Sequence, residues 1–100
     1  MLCLGIFLRR LGVGVRIFEA GSYPRHKVCG EFVCGVRPEV MDEMGVAPVL
    51  KQALRHETMS WWIGNDRVMS EGLPQTAYGL SRFLMDSQLA RMYTLSLIHI

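Results

Sequence analysis

Leu2-Cys-Leu-Gly-Ile-Phe-Leu-Arg-Arg-Leu11, then Gly12, then Val13-Gly-Val-Arg-Ile-Phe18 and Glu19 compose a helix, a stop and a strand in one unbroken run. Apolar residues fill nearly all of the first two turns, so the spacing predicts a helix over 2–11 with partners on more than one side. Gly12 is placed to end it, because glycine reaches the left-handed backbone of a helix terminus without a Cβ penalty. Val13, Val15 and Ile17 then alternate, with Phe18 on the opposite face, which predicts a strand. A helix, one glycine and a strand make the second half of a βαβ unit.

Glu19 falls where such a unit puts chemistry. An acidic side chain at the carboxyl end of the second strand of a dinucleotide-binding βαβ unit accepts hydrogen bonds from an adenosine ribose. A solvated glutamate at a strand end accounts for Glu19 equally well when it is taken alone. The glycine-rich phosphate loop belongs roughly 20 residues before the acidic position, and that distance from Glu19 reaches Met1. Gly12-Val-Gly14 is no substitute, since it precedes a strand instead of following one. The expectation is therefore that the chain begins just after a phosphate loop, with the first strand also preceding it.

Composition narrows the classes. A hydrophobic share of 50% over 100 residues is enough for a core and far from a disordered composition. The net charge of +2, with Arg9-Arg10 the only adjacent basic pair, argues against a nucleic-acid surface. Cys3, Cys29 and Cys34 are an odd number, which favours reduced thiols and a cytoplasmic setting over a disulfide framework. No His or second Cys pair stands at ligand spacing around Cys29 and Cys34, so no metal site is expected. The apolar start is much shorter than the roughly 20 residues a membrane helix needs, and its arginines follow the apolar run instead of leading it.

Residues 20–24 are turn-like, and 25–35 follow neither helical nor strand periodicity while carrying charge, two cysteines and two glycines. Loops of that kind often hold function. Pro38–Met44 is expected to be a short helix with Pro in its first turn, closed by Gly45. Ala47–Leu54 is expected to be a further helical stretch. Strand-like content follows at 57–63 and 67–70 around a Gly64-Asn65-Asp66 turn, with another short strand at 78–80. Ser81 should cap a helix to about Tyr93 whose apolar stripe is Met85, Leu89 and Met92.

Three stretches together bring a family into view: the strand ending in Glu19, then Pro24-Arg-His-Lys-Val-Cys-Gly-Glu31, then Gly79-Leu-Ser-Arg-Phe-Leu-Met-Asp-Ser-Gln-Leu89. In this order they resemble the FAD-dependent oxidoreductases of the geranylgeranyl reductase and flavin monooxygenase group. Their pattern is Pro-Arg-x-Lys-x-Cys-Gly, a short helix rich in Pro and Leu, a β-excursion, and a Ser-Arg-x-x-Leu-Asp-x-x-Leu helix. Met85 departs from the usual Leu, and Phe32 stands where some relatives have Gly. The resemblance implies an α/β fold, a partial Rossmann-like FAD-binding domain over 1–94. It implies FAD as cofactor, NAD(P)H as a candidate reductant, and a small-molecule substrate. Glu19, Cys29, Gly30 and Arg82 are the cofactor-binding residues that it carries over. His26 and Asp86 are given structural roles, and Trp61-Trp62 belong to the β-excursion. Cys29 as a nucleophile is disfavoured, because no His-Asp partnership accompanies it.

Reduction of an apolar, isoprenoid-type substrate is the activity expected of the parent enzyme. Flavin-dependent monooxygenation or halogenation of aromatic or polyketide substrates is the alternative, and an NAD-only enzyme ranks behind both. The parent's association with membranes stays open. Residues 1–100 alone are expected to be inactive, poorly soluble and colourless. Residues 95–100, Leu-Ser-Leu-Ile-His-Ile, are expected to be a non-native tail, since a transposase-end adapter of sequencing libraries translates to those residues.

Overall fold

Helix α1 spans Leu2–Arg10 and closes as its sequence predicts. Gly12 takes φ 79°, its N–H bonds the Arg9 carbonyl, and Val13 N–H bonds the Leu8 carbonyl at 3.0 Å. These two bonds satisfy carbonyls that the last turn leaves orphaned. Helix α2, Pro38–Met44, ends in the same way at left-handed Gly45. Val46 N–H bonds the Met41 carbonyl there, and both side chains enter the core. A computed structural model of the chain describes residues 1–27 and 29–97.

The segment 13–18 corrects the expectation of a strand. It pairs with no other segment among the described residues, and a strand is stabilised by a ladder of inter-strand bonds. The pattern itself survives in the packing. Val15 and Ile17 are half-buried, whereas Val13 and Phe18 are exposed. The Tyr93 hydroxyl donates to the Val15 carbonyl at 3.0 Å. Ile17 lies so close over Gly5 that a Cβ there would stand 2.7 Å from Ile17 Cδ1. A bare glycine thus lets this segment lie against α1.

After α2, the expected helix over 47–54 is a 3₁₀ turn at Ala47–Leu50 only. Bonds from Lys51 N to Pro48 O and from Ala53 N to Leu50 O keep it tight. Leu54 is taken instead by a strand, opposite Gly79. Long-range pairing overrides the local helical pattern here.

The sheet is antiparallel, in the order β1 (Phe32–Val33), β3 (Asp66–Gly79), β2 (Leu54–Ile63). The expected pieces 67–70 and 78–80 are one long strand, β3, except that Leu80 lies beyond it. Its register jumps from His56↔Ala77 to Thr58↔Gly72, and Pro74 sits inside that bulge, where its missing N–H breaks no ladder bond. Ile63 pairs with Asp66 across Gly64-Asn65, so the hairpin turn falls where the sequence places it. Trp61 and Trp62 lie on β2 within this excursion, both exposed.

Helix α3, Arg82–Ser96, is capped by Ser81, whose Oγ accepts from Leu84 N at 3.4 Å. Leu89 is buried, and Met85 and Met92 pack beside it, as their spacing predicts. The core joins Ile6 of α1, Met41 of α2, Val46, Val49 and Leu89. Leu95 and Ser96 complete the last turn of α3, while 98–100 of the expected tail lie outside the described residues. No helix among the described residues is long and apolar enough to cross a membrane. The described residues form a small α/β unit of three α-helices and a three-stranded antiparallel sheet.

Candidate cofactor-binding site

His26, Lys27 and the stretch 29–31 fold onto the amino-terminal half of α3. The His26 ring stacks on Phe83 with centroids 4.7 Å apart. Lys27 Nζ lies 3.9 Å from Asp86 Oδ2. Glu31 Oε1 accepts from Arg82 N at 3.4 Å, and the Glu31 carbonyl accepts from Leu80 N. A carboxylate at the first turn of a helix meets the positive end of its dipole. Glu31 holds φ 58° to make these contacts, a left-handed conformation uncommon for a non-glycine residue.

Arg82 is the hub. Its Nε and Nη2 donate to the two oxygens of Asp86 at 3.1 and 2.9 Å, a bidentate pair one helical turn apart. Asp86 is only 4% exposed, so its charge is neutralised by neighbours and hardly by water. The guanidinium also neighbours Cys29. Cys29 Sγ accepts from Glu31 N at 3.4 Å, and that bond, followed by Arg82, lowers the thiol pKa. Burial pushes the Cys3 thiol the other way. We therefore expect Cys29 to be alkylated by iodoacetamide at neutral pH first of the three cysteines, and Cys3 last. Peptide mapping of a timed reaction reads the order, and Cys3 labelled as fast as Cys29 would contradict this geometry.

Glu19 anchors the start of the loop. Its Oε1 accepts from Gly21 N at 3.3 Å and from Arg25 Nη2 at 2.9 Å, and its Oε2 accepts from the Tyr23 hydroxyl at 3.3 Å. The Gly21 N–H above all, and then Arg25, hold the carboxyl below its ordinary value. The folded-state pKa is thus lowered. The contribution of these bonds is present above the unfolded value and is lost as pH falls through the lowered one. A carbon-detected NMR titration should place the Glu19 midpoint below that of a glutamate in a short peptide. It should also show the signals of 19–25 moving with that midpoint.

Of these groups, Cys3, Tyr23, Lys27, Arg82 and Asp86 border a cleft of about 300 Å³ between α1 and α3. Leu2, Met85 and Leu89 give it an apolar side, and Tyr23, Lys27, Arg82 and Asp86 a polar one. The first turn of α1 opens onto it and carries no acidic residue, so the positive end of that helix faces the cleft.

Comparison with protein-family models, with curated proteins and with solved structures returned no match to this chain.

Of the four residues carried over from the family pattern, Cys29 and Arg82 are brought together, and Glu19 reaches the cleft through Tyr23. Gly30 faces a different opening, of about 390 Å³, bounded by Phe32, Leu54, Gly79 and Ser81. A Cβ at Gly30 would meet nothing within 4 Å. Lys27 and Asp86 complete the cleft, and Glu31 borders the second opening. The sequence suggests Lys27 and Arg25 as cations that lower the Cys29 pKa, where the structure sets the Glu31 N–H and Arg82. It suggests only a structural role for Asp86. Opposite charges four residues apart on the Ser81 helix were a readable sign of the Arg82–Asp86 pair. Nothing local signalled the backbone of Glu31.

Proposed function

We propose that this chain forms part of the FAD-binding domain of an FAD-dependent oxidoreductase similar to the geranylgeranyl reductases. The observation that carries the reading is the cleft itself. Two stretches that resemble the family's signature meet there, through Lys27 and Asp86, which stand 3.9 Å apart. They set Lys27 and Arg82 opposite the first turn of α1. Two cations and a helix amino terminus over an apolar floor suit a diphosphate that carries an apolar ring system. The residues therefore fit the cofactor.

Lys27 and Arg82 would hold the diphosphate, with the first N–H groups of α1. Glu19 would take the ribose. Three of the roughly four acceptor positions of its carboxylate are already used by the loop, so a ribose hydroxyl takes the last or displaces the Tyr23 bond. Gly30 leaves its backbone approachable from the neighbouring opening. When bound, the flavin supplies the redox chemistry, and the protein orients it and excludes competing reactions. Reduction of an apolar, isoprenoid-type substrate is the activity that this resemblance suggests.

The test is an amide NMR titration of the isotope-labelled chain with FAD. A dispersed spectrum reports folding independently of binding. The expected result is a set of shifts confined to 2–5, 19–31 and 81–86, even where binding is too weak for the purified chain to be yellow. A folded chain with no shifts at millimolar FAD would end the reading.

A further inference from the structure

We propose that Asp86 is the positioning residue of the cleft between α1 and α3, aiming Arg82 and Lys27 at a diphosphate-bearing ligand. The identity of that ligand as FAD rests on the function proposed above; the role of Asp86 does not. Arginine and lysine are long and rotamer-rich, and a binding site that leaves them loose must order them when the ligand arrives. Asp86 does that ordering in advance. Its two oxygens take Nε and Nη2 of Arg82 side by side, which fixes the plane of the guanidinium and leaves its remaining donors for other partners. Oδ2 also stands 3.9 Å from Lys27 Nζ, so one carboxylate holds both cations of the cleft.

Burial makes the arrangement stiff. Asp86 is 4% exposed with both partners in place, and turning Arg82 away would leave its carboxylate with Lys27 alone at 3.9 Å. Charge balance leaves the cleft attractive to anions, since two cations share one carboxylate there. Glu31 contacts the backbone N–H of Arg82, so the Arg82–Asp86 pairing does not depend on it. A role confined to stability is the competing account, because the same carboxylate ties the loop at Lys27 to α3.

Binding separates the two accounts. ADP and FAD are titrated calorimetrically into the full chain and into Asp86→Asn, Arg82→Ala and the double variant, with thermal melts alongside. Asp86→Asn is expected to weaken both ligands about tenfold, within the range for residues sharing one hydrogen-bond network. In the Arg82→Ala background the same substitution should add much less, because Asp86 acts largely through Arg82. Arg82→Lys keeps the charge but cannot be held bidentately, and it should lose affinity about as much as Asp86→Asn. It serves alone should Asp86→Asn unfold. Unchanged affinity in a folded Asp86→Asn or Arg82→Lys chain would overturn the proposal while leaving FAD binding intact. Wild-type binding of ADP without FAD, weakened by Asp86→Asn, would support Asp86 and remove the flavin reading. Binding of neither ligand by the wild type would overturn both.

Discussion

Replacing Arg82 with alanine should destabilise the chain by about 3 kcal/mol, near the low end for breaking a buried ion pair from one side. The cause is the carboxylate left behind. Asp86 would keep only Lys27, at 3.9 Å, and would lose both hydrogen bonds from Arg82 at a position that is 4% exposed in the intact chain. The low end applies because the Arg82 side chain keeps 28% of its surface in water. Urea unfolding monitored by circular dichroism measures the loss. The double variant Arg82→Ala/Asp86→Asn supplies the sign that identifies the mechanism. It removes the stranded charge, so it should be more stable than Arg82→Ala alone. Equal or lower stability of the double variant would mean that packing of the arginine stem, and not the pair, sets the loss.

The elements read well from sequence where local chemistry decides them. Gly12 and Gly45 close their helices through bonds that need a left-handed residue, and Ser81 caps α3 with its own hydroxyl. Reading failed where a distant partner decides. Residues 13–18 carry a strand's alternation, but they pair with no strand among the described residues. Leu54 carries a helical context and is drawn into β2 by Gly79. The site divides in the same way. Arg82 could be placed on the first turn of a capped helix, and its partner Asp86 lies one turn on. That Cys29 would sit beside Arg82, and that Glu31 would meet the start of α3, depends on the path of the loop across the helix. No periodicity encodes such a path. The contacts of His26 with Phe83 and of Lys27 with Asp86 set it, each joining residues distant in sequence.

Leu89→Ala should be the most disruptive single truncation, costing roughly 2–5 kcal/mol, the range for deleting a buried leucine side chain. Leu89 is 4% exposed and belongs to the cluster in which α1, α2, the 3₁₀ turn and α3 meet. Its removal opens a cavity against Ile6, Met41, Val46 and Val49, and few other buried residues can close in to fill it. Domain stabilities of about 5–15 kcal/mol leave little margin for such a loss. Trp61→Ser is the control that gives the number meaning. Trp61 is larger than Leu89, but it is 52% exposed and stands on the hairpin outside that cluster. Surface substitutions of this kind usually stay within about 0.5 kcal/mol. Thermal melts of the two variants should therefore differ widely, with Leu89→Ala losing its cooperative transition and Trp61→Ser keeping it. A comparable loss in Trp61→Ser would show that the hairpin is covered in solution and shares the stability of the helical core. That outcome would relocate the centre of the fold from the helices to the sheet.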